Sequence, residues 1–337
     1  MTKPRLGWQI FLPLVGFGLI LGAYSAYWFI ARAELSKGID SWIEAERARG
    51  MTVEFSEKRL GGYPFRFALF VDEPVYGDSR NDQRWQGEQL QLIMQPWNWQ
   101  HVIARAPGEN CIFNGELEGW AHLGPKSAGS VSWSDTGIER VSLAVDEARF
   151  DVAGEIGGAL DRFEFHLRPY PGEPDTLQLE THWQALKLND TLPGADTLGP
   201  RFGPSILRAE ATRAFSALAT VPDLSDLPAA ILARGGEITL AQAMVDWGPL
   251  DAGARGKLAR DREAGLTGSI GLRLDNADML RAALQRAGEL DSDTETAIAA
   301  LDAASADGRF LELSVRDDGL YLLGNKVVAI DVNGALE

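Results

Sequence analysis

Hydrophobic positions along the chain fall into three regimes. Residues 6–31 form a run of 26 residues without formal charge, in which Gln9 and Pro13 are the main interruptions. As a helix rising 1.5 Å per residue, the run reaches about 39 Å, enough to cross a ~30 Å hydrocarbon core with some tilt. Next, Leu35, Ile39, Trp42 and Ile43 recur at helical spacing, with Glu44, Glu46, Arg47 and Arg49 elsewhere and Gly50 as a stop. This predicts an amphipathic helix over 34–50 that packs on its own domain. Beyond residue 50 the period changes from 3.6 to 2.

The period-2 segments read as antiparallel strands with one apolar and one wet face. Residues 53–58 predict a strand, 60–64 a turn and 65–71 a second strand. Phe163, Phe165 and Leu167 oppose Arg162, Glu164, His166 and Arg168. Leu266, Ile270, Leu272 and Leu274 oppose Thr267, Ser269, Arg273 and Asp275, and Leu311, Leu313 and Val315 oppose Glu312, Ser314 and Arg316. Elsewhere the phase slips: Leu177, Leu179 and Trp183 share one parity, Leu186 and Leu188 the other. A β-bulge at 184–186 would restore a single apolar face and bend the strand, and Ile238 and Leu240 against Val245 and Trp247 suggest the same device. Long, bent, one-sided strands predict a curved sheet whose concave apolar face is closed by a second layer or occupied by something apolar.

Helices are few. Residues 203–219 and 225–234 read as helical within a stretch punctuated by Pro193, Pro200, Pro204, Pro222 and Pro228. A third helix is expected from Asn276 to Arg286, with Met279, Leu280, Ala283 and Leu284 on one face and Gly288 beyond, and a fourth over about 293–304. The expected organisation is a cytoplasmic tip and transmembrane anchor (1–33), an amphipathic helix (34–50), a first β-rich half (51–190), a helical connection (191–235) and a second β-rich half with two helices (236–337). The fold class is α+β, predominantly antiparallel β, preceded by one transmembrane helix.

Charge orients this plan. Lys3 and Arg5 precede the apolar run, whereas Arg32 is soon followed by Glu34, so the positive-inside bias keeps the tip cytoplasmic and sends the body across the membrane. Trp8 at one end, and Tyr24, Tyr27 and Trp28 at the other, suit the headgroup level. The competing reading is a cleaved secretory signal, with Ala31-Arg32-Ala33 as the cleavage site. Residues 34–337 carry 29 basic and 48 acidic residues, a net of −19, which disfavours nucleic acid as a partner. The single cysteine, Cys111, excludes an internal disulfide and is expected to fill core.

Two stretches carry a family resemblance. One is Arg59-Leu60-Gly61-Gly62-Tyr63-Pro64-Phe65-Arg66, close behind the anchor. The other runs through Val245-Asp246-Trp247-Gly248-Pro249-Leu250, Gly256-Lys257-Leu258 and Gly265-Leu266-Thr267-Gly268 to Asn276-Ala277. Together they resemble the bacterial Domain of Unknown Function 2125, and the second is similar to the later β-rich part of AsmA-like envelope proteins. The resemblance implies a protein of the bacterial inner membrane with a periplasmic body and an AsmA-like curved sheet. Larger AsmA-like relatives are associated with lipid handling between membranes. No catalytic residue is carried over.

Read physically, Gly61 and Gly62 supply the positive φ of a tight hairpin, and Pro64 ends pairing at the strand's start. Tyr63 and Phe65 pack on the sheet, and Arg66 meets an acid. This use of the motif is structural. Catalytic patterns are lacking: there is no Gly-x-Ser-x-Gly elbow, and the four histidines form no HxxxH or HxH pair. Asp291, Asp293, Glu295 and Asp302 fall near calcium-loop spacing, but Thr296 stands where glycine is needed, and helix capping explains the same residues. No catalytic residue, metal or cofactor is therefore expected. Trp97 and Trp99, flanking Asn98, are candidate ligand-contact aromatics, with packing at the sheet's edge as the plainer use.

The resulting expectation is a non-catalytic, membrane-anchored periplasmic protein that binds or shields a lipid or other apolar envelope component. Its partners would be membrane lipid through the N-terminal helix, an apolar ligand, and other envelope proteins. The alternative is a structural or interaction module in envelope assembly with a closed core. A carboxylate-dependent enzyme acting on a cell-wall glycan is a third class.

Overall fold

The computed structural model describes residues 11–329 except 79, 116, 155, 190–193, 222–223, 262–264, 317–318 and 323. The flanking Lys3 and Arg5, the ring of Trp8, and Pro193 and Pro222 lie outside the described residues. The first element, α1 (Phe11–Ala48), is a single helix of 38 residues, about 57 Å long. It joins the expected span and the expected amphipathic helix into one rod. The reason is local: Ala31, Arg32, Ala33, Glu34 and Leu35 at the expected junction are all strong helix formers. Pro13 sits in the first described turn, a position proline tolerates, and Gly50, at φ +87°, follows the end.

The chain divides into two compact units at residues 118 and 119. The first contains α1 and β1 (Met51–Glu54), β2 (Glu57–Gly61), β3 (Phe67–Asp72), β4 (Val75–Asp78), β5 (Gln83–Gly87), β6 (Gln89–Gln95), β7 (Asn98–Arg105) and β8 (Gly108–Asn114). These pair antiparallel in two groups, β2-β3-β6-β7 and β1-β4-β5-β8. The expected strand over 53–58 is two strands, because β1 pairs with β4 and β2 with β3. The chain changes partner at Phe55-Ser56, and the following turn falls at 62–66.

The second unit is a long antiparallel series. Its strands are β9 (Leu117–Leu123), which starts at the boundary, β10 (Ala128–Ser134), β11 (Gly137–Val152), β12 (Ile156–Tyr170), β13 (Glu173–Gln184), β14 (Leu186–Leu188), β15 (Arg201–Phe202) and β16 (Ser205–Ala211). They continue with β17 (Glu237–Trp247), β18 (Leu250–Asp261), β19 (Gly265–Asp275), β20 (Leu311–Arg316), β21 (Gly319–Leu322) and β22 (Asn325–Ala329). The pairing order is β10-β11-β12-β13-β16-β17-β18-β19-β20-β21-β22. The helices are α2 (Ala195–Leu198), α3 (Ala214–Leu218), α4 (Leu227–Ala233), α5 (Ala277–Ala287) and α6 (Ser292–Ser305).

Two expectations change here. The stretch 203–219 is not one helix: β16 occupies its first half, hydrogen-bonded to β13 on one side and β17 on the other, and only α3 is helical. Pairing on both edges outweighs a helical spacing of Ile206, Leu207 and Ala211 that has no buried face to complete it. The stretch 191–235 is correspondingly not a separator, since β15 and β16 run through it within the second unit.

The phase slip at 184–186 has a different origin from a bulge. Ala185 adopts φ +50° and Glu147 on β11 φ +53°, flanking Asp161 of β12 in the same row. Pairing on either side keeps one register: Val145 opposite Phe163 and Ala148 opposite Leu160 on β11, Trp183 opposite Phe163 and Lys187 opposite Ala159 on β13–β14. Apolar parity changes on all three strands at that row, so left-handed residues do together what one inserted residue does in a bulge. At 240–243, by contrast, the register of β17 on β18 shifts, as expected of a bulge.

Core in the second unit gathers where helices cover the sheet. Ala214, Ala217 and Ile231 pack with Leu177, Ala211 and Ile238 under α3 and α4. Leu274, Ala277 and Ile298 pack with Leu280 and Leu284 under α5 and α6, while Met279 points to solvent. Leu143, Phe163, Phe165 and Leu167, on one face of β11 and β12, belong to none of these clusters and stay partly accessible.

Candidate functional site

The Gly-Gly-Tyr-Pro-Phe-Arg segment forms the β2–β3 turn, and its position is set by α1. The Tyr24 hydroxyl donates to the Pro64 carbonyl, and Ser25 Oγ and Tyr63 Oη are 2.7 Å apart. The Arg32 Nε donates to the Leu60 carbonyl at 3.0 Å. A second turn joins β6 to β7, and its Pro96 carbonyl accepts from the Tyr27 hydroxyl at 2.7 Å. Both turns are thus fixed to one stretch of helix, residues 24–32.

Rings fill the junction. Trp28 is buried, stacked on Phe67 at 5.3 Å and edge-on to Tyr63 at 5.3 Å. Tyr63 also stacks on Phe29, and Trp99 tilts against Phe67. The Trp28 Nε1 has no hydrogen-bond partner among the described residues, a cost of about 1–3 kcal/mol that the packing offsets.

The motif residues divide by role. Gly62 supplies the positive φ, +104°, and a Cβ there would lie 2.5 Å from the Arg66 carbonyl oxygen. Gly61 ends β2 with ordinary backbone and open space, so only one of the two glycines is required by conformation. The Tyr63–Pro64 peptide is cis. Tyr63 packs on the helix rather than on the sheet, and Phe65 is exposed. Arg66 makes no ion pair among the described residues; its backbone N–H closes the turn on Gly62 at 3.1 Å. Trp97 stands exposed in the second turn, and Trp99 is the second residue of β7, which follows it.

Above this junction α1 and the sheet form a half-open pocket of about 140 Å³. Its lining is wholly apolar: Leu35, Ile39, Leu60, Phe67, Leu69, Leu92, Ile93, Met94 and Val102. Trp97 and Trp99 are not part of that lining. Farther along, Ile43 is buried, Trp42 stacks on Tyr76, and buried Glu46 takes hydrogen bonds from Arg49 and Tyr76.

The second unit has a hollow of about 500 Å³ on its polar face, lined by Arg140, Ser142, His166, Arg168, Gln178, Glu180, Arg208 and Glu210 together with Leu167, Leu179, Ala209 and Ala241. Sequence reading placed the hollow side on the apolar face. It missed this one because Arg208 and Glu210 belong to the stretch read as helix. Ser142 Oγ lies 3.0 Å from His166 Nδ1, but Glu180 bonds to His182 and Arg208, which hold its carboxyl below the usual range. Glu180 stands opposite His166 on the side away from Ser142, but its carboxylate is held by His182 and Arg208, so among the described residues the row is not joined as a nucleophilic triad.

Other chemistry-bearing residues have structural partners. Asp291 caps α6 by accepting from the Thr294 N–H at 2.7 Å. Cys111 is half-buried on β8 rather than in the core, and burial together with Glu109 raises its thiol pKa. No group of three or more metal-binding side chains occurs among the described residues. Asp246, Asp251 and Asp275 are direct neighbours across β17, β18 and β19, and burial, then Asp275 and Asp246, push the Asp251 carboxyl up.

No curated protein and no solved structure matches the chain. A family model described as an uncharacterized protein conserved in bacteria matches residues 28–329, beginning at the buried Trp28. With most of its length matched, the chain belongs to the bacterial family Domain of Unknown Function 2125.

Proposed function

We propose that this is a non-catalytic protein of the bacterial inner membrane, anchored by an uncleaved α1 with its body in the periplasm, and that it binds or shields the acyl part of an envelope lipid. The observation that carries the lipid reading is the pocket between α1 and the β2-β3-β6-β7 sheet, whose nine lining residues are all apolar. A closed apolar cavity near this volume, about 150 Å³, takes a benzene-sized guest. The pocket here, half open and wholly apolar, has room for the end of an acyl chain, with the remainder lying outside. The accessible apolar face of β11 and β12 in the second unit offers a further surface of the same chemistry.

Retention of α1 is supported by its packing. A cut after Ala33 would remove Trp28, which is 2% exposed, together with the Tyr24 and Tyr27 bonds to the two turns. The charge rule then sets the orientation, with the basic tip inside.

Native mass spectrometry of the full-length chain, extracted in mild detergent, tests the binding. Bound lipid is expected, and Leu92→Phe, which fills the pocket, should reduce its occupancy. A lipid-free chain would favour the interaction-module reading.

A further inference from the structure

Two of the most exposed rings of the first unit lie at one end of it, while the Trp42–Tyr76 stack lies toward the other. Phe65 is 70% exposed and Trp97 61%, although each sits at the tip of a turn between well-paired strands. Folding alone gives no reason to present these rings to solvent, since a turn tip is usually polar. Tyr63 and Tyr27, each a little under half exposed, lie beside them.

Their level along α1 is fixed by hydrogen bonds. The Pro64 and Pro96 carbonyls are held by Tyr24 and Tyr27, whereas Leu60 is held by Arg32. Tyr24 and Tyr27 lie four to seven residues inside the uncharged run that ends at Ala31, a depth of about 6–10 Å along the helix axis. The headgroup zone is roughly 5–8 Å deep on each side of the hydrocarbon core.

Charge agrees with depth. The sequence has 48 acidic and 32 lysine or arginine residues, yet neither 60–66 nor 95–101 contains a carboxylate. Arg66 of the first turn and Arg32 of the helix are basic and suit an anionic lipid surface, while Glu34, two residues beyond Arg32, is paired with Lys37.

We infer that the two turns, 62–66 and 96–97, form a membrane seat: Phe65 and Trp97 enter the headgroup zone of the bilayer that α1 crosses, and hold the first unit down on the membrane. This rests on the anchored reading above. It assigns the family motif a second role, in which the turn that grips α1 also presents an interfacial ring.

The test uses the full chain in vesicles of phosphatidylethanolamine and phosphatidylglycerol, with an environment-sensitive fluorophore on single cysteines in a Cys111→Ala background. Phe65→Cys and Trp97→Cys report the seat. Ile20→Cys reports the helix. Asn81→Cys, in the β4–β5 turn beside the far end of α1, reports water. Labels at 65 and 97 should emit to the blue, be quenched by acyl-chain nitroxides, and show several-fold less quenching by aqueous iodide than the label at 81. Iodide quenching at 65 and 97 equal to that at 81, with the label at 20 still protected, would overturn the seat and leave the anchor standing. A label at 20 as open to iodide as that at 81 would overturn both. Since both ring positions are exposed, these substitutions leave the core intact.

Discussion

Trp28 of α1 lies face to face with Phe67 of β3, ring centroids 5.3 Å apart and planes inclined by 23°. A residue that sequence reading places at the membrane's headgroup level is therefore core of the first unit, and α1 and the sheet share it. Replacing it empties a site built around a large ring. Trp28→Ala is expected to destabilise the first unit by about 3–5 kcal/mol. Thermal unfolding of the detergent-solubilised chain checks this, and a loss below about 1 kcal/mol would mean that the helix is only loosely docked.

The two motif glycines separate cleanly. Gly62→Ala puts a methyl group 2.5 Å from a backbone oxygen at φ +104° and is expected to cost roughly 1–3 kcal/mol. Gly61→Ala meets nothing within 4 Å and removes only unfolded-chain freedom, so it should be neutral or stabilising by up to about 1 kcal/mol. Paired denaturation curves decide, and equal losses would contradict the geometry.

The row Asp246–Asp251–Asp275 gives a pH dependence. Burial and its two acidic neighbours raise the Asp251 pKa in the folded state. Folding therefore favours the protonated acid: that stabilisation is complete below the unfolded-state pKa and disappears as pH rises through the folded-state value. At neutral pH the ionised group is penalised. Asp251→Asn should then stabilise the protein at pH 7 by up to about 1 kcal/mol, with the gain shrinking as pH is lowered through the carboxylate range. A gain independent of pH would assign it to something other than charge.

Much of the fold was legible because it depends on local rules. Period-2 alternation marks β12, β19 and β20, Pro228 lies at the start of α4, and Gly288, at φ +76°, ends α5. What was illegible depends on pairing between distant segments. Residues 205–211 have a spacing compatible with a helix, and only β13 and β17 on either side make them a strand. That one misreading also hid the polar hollow, because Arg208 and Glu210 come to Glu180 and Gln178 only through β16. The junction with α1 was half legible. The motif and the helical aromatics were each visible, but nothing in their spacing ties Tyr24 to Pro64, forty residues away, or Tyr27 to Pro96. The coordinated change of face at Glu147, Asp161 and Ala185 showed on one strand as a phase slip, and only the register reveals that three strands share it.

The measurement that bears most directly on the account is the intact mass of the full-length chain purified from membranes of the cells that express it. If α1 is both membrane anchor, as proposed, and core of the first unit, the mass should include residues 1–33. A mature chain beginning at Glu34, folded and stable without Tyr24, Tyr27 and Trp28, would contradict it.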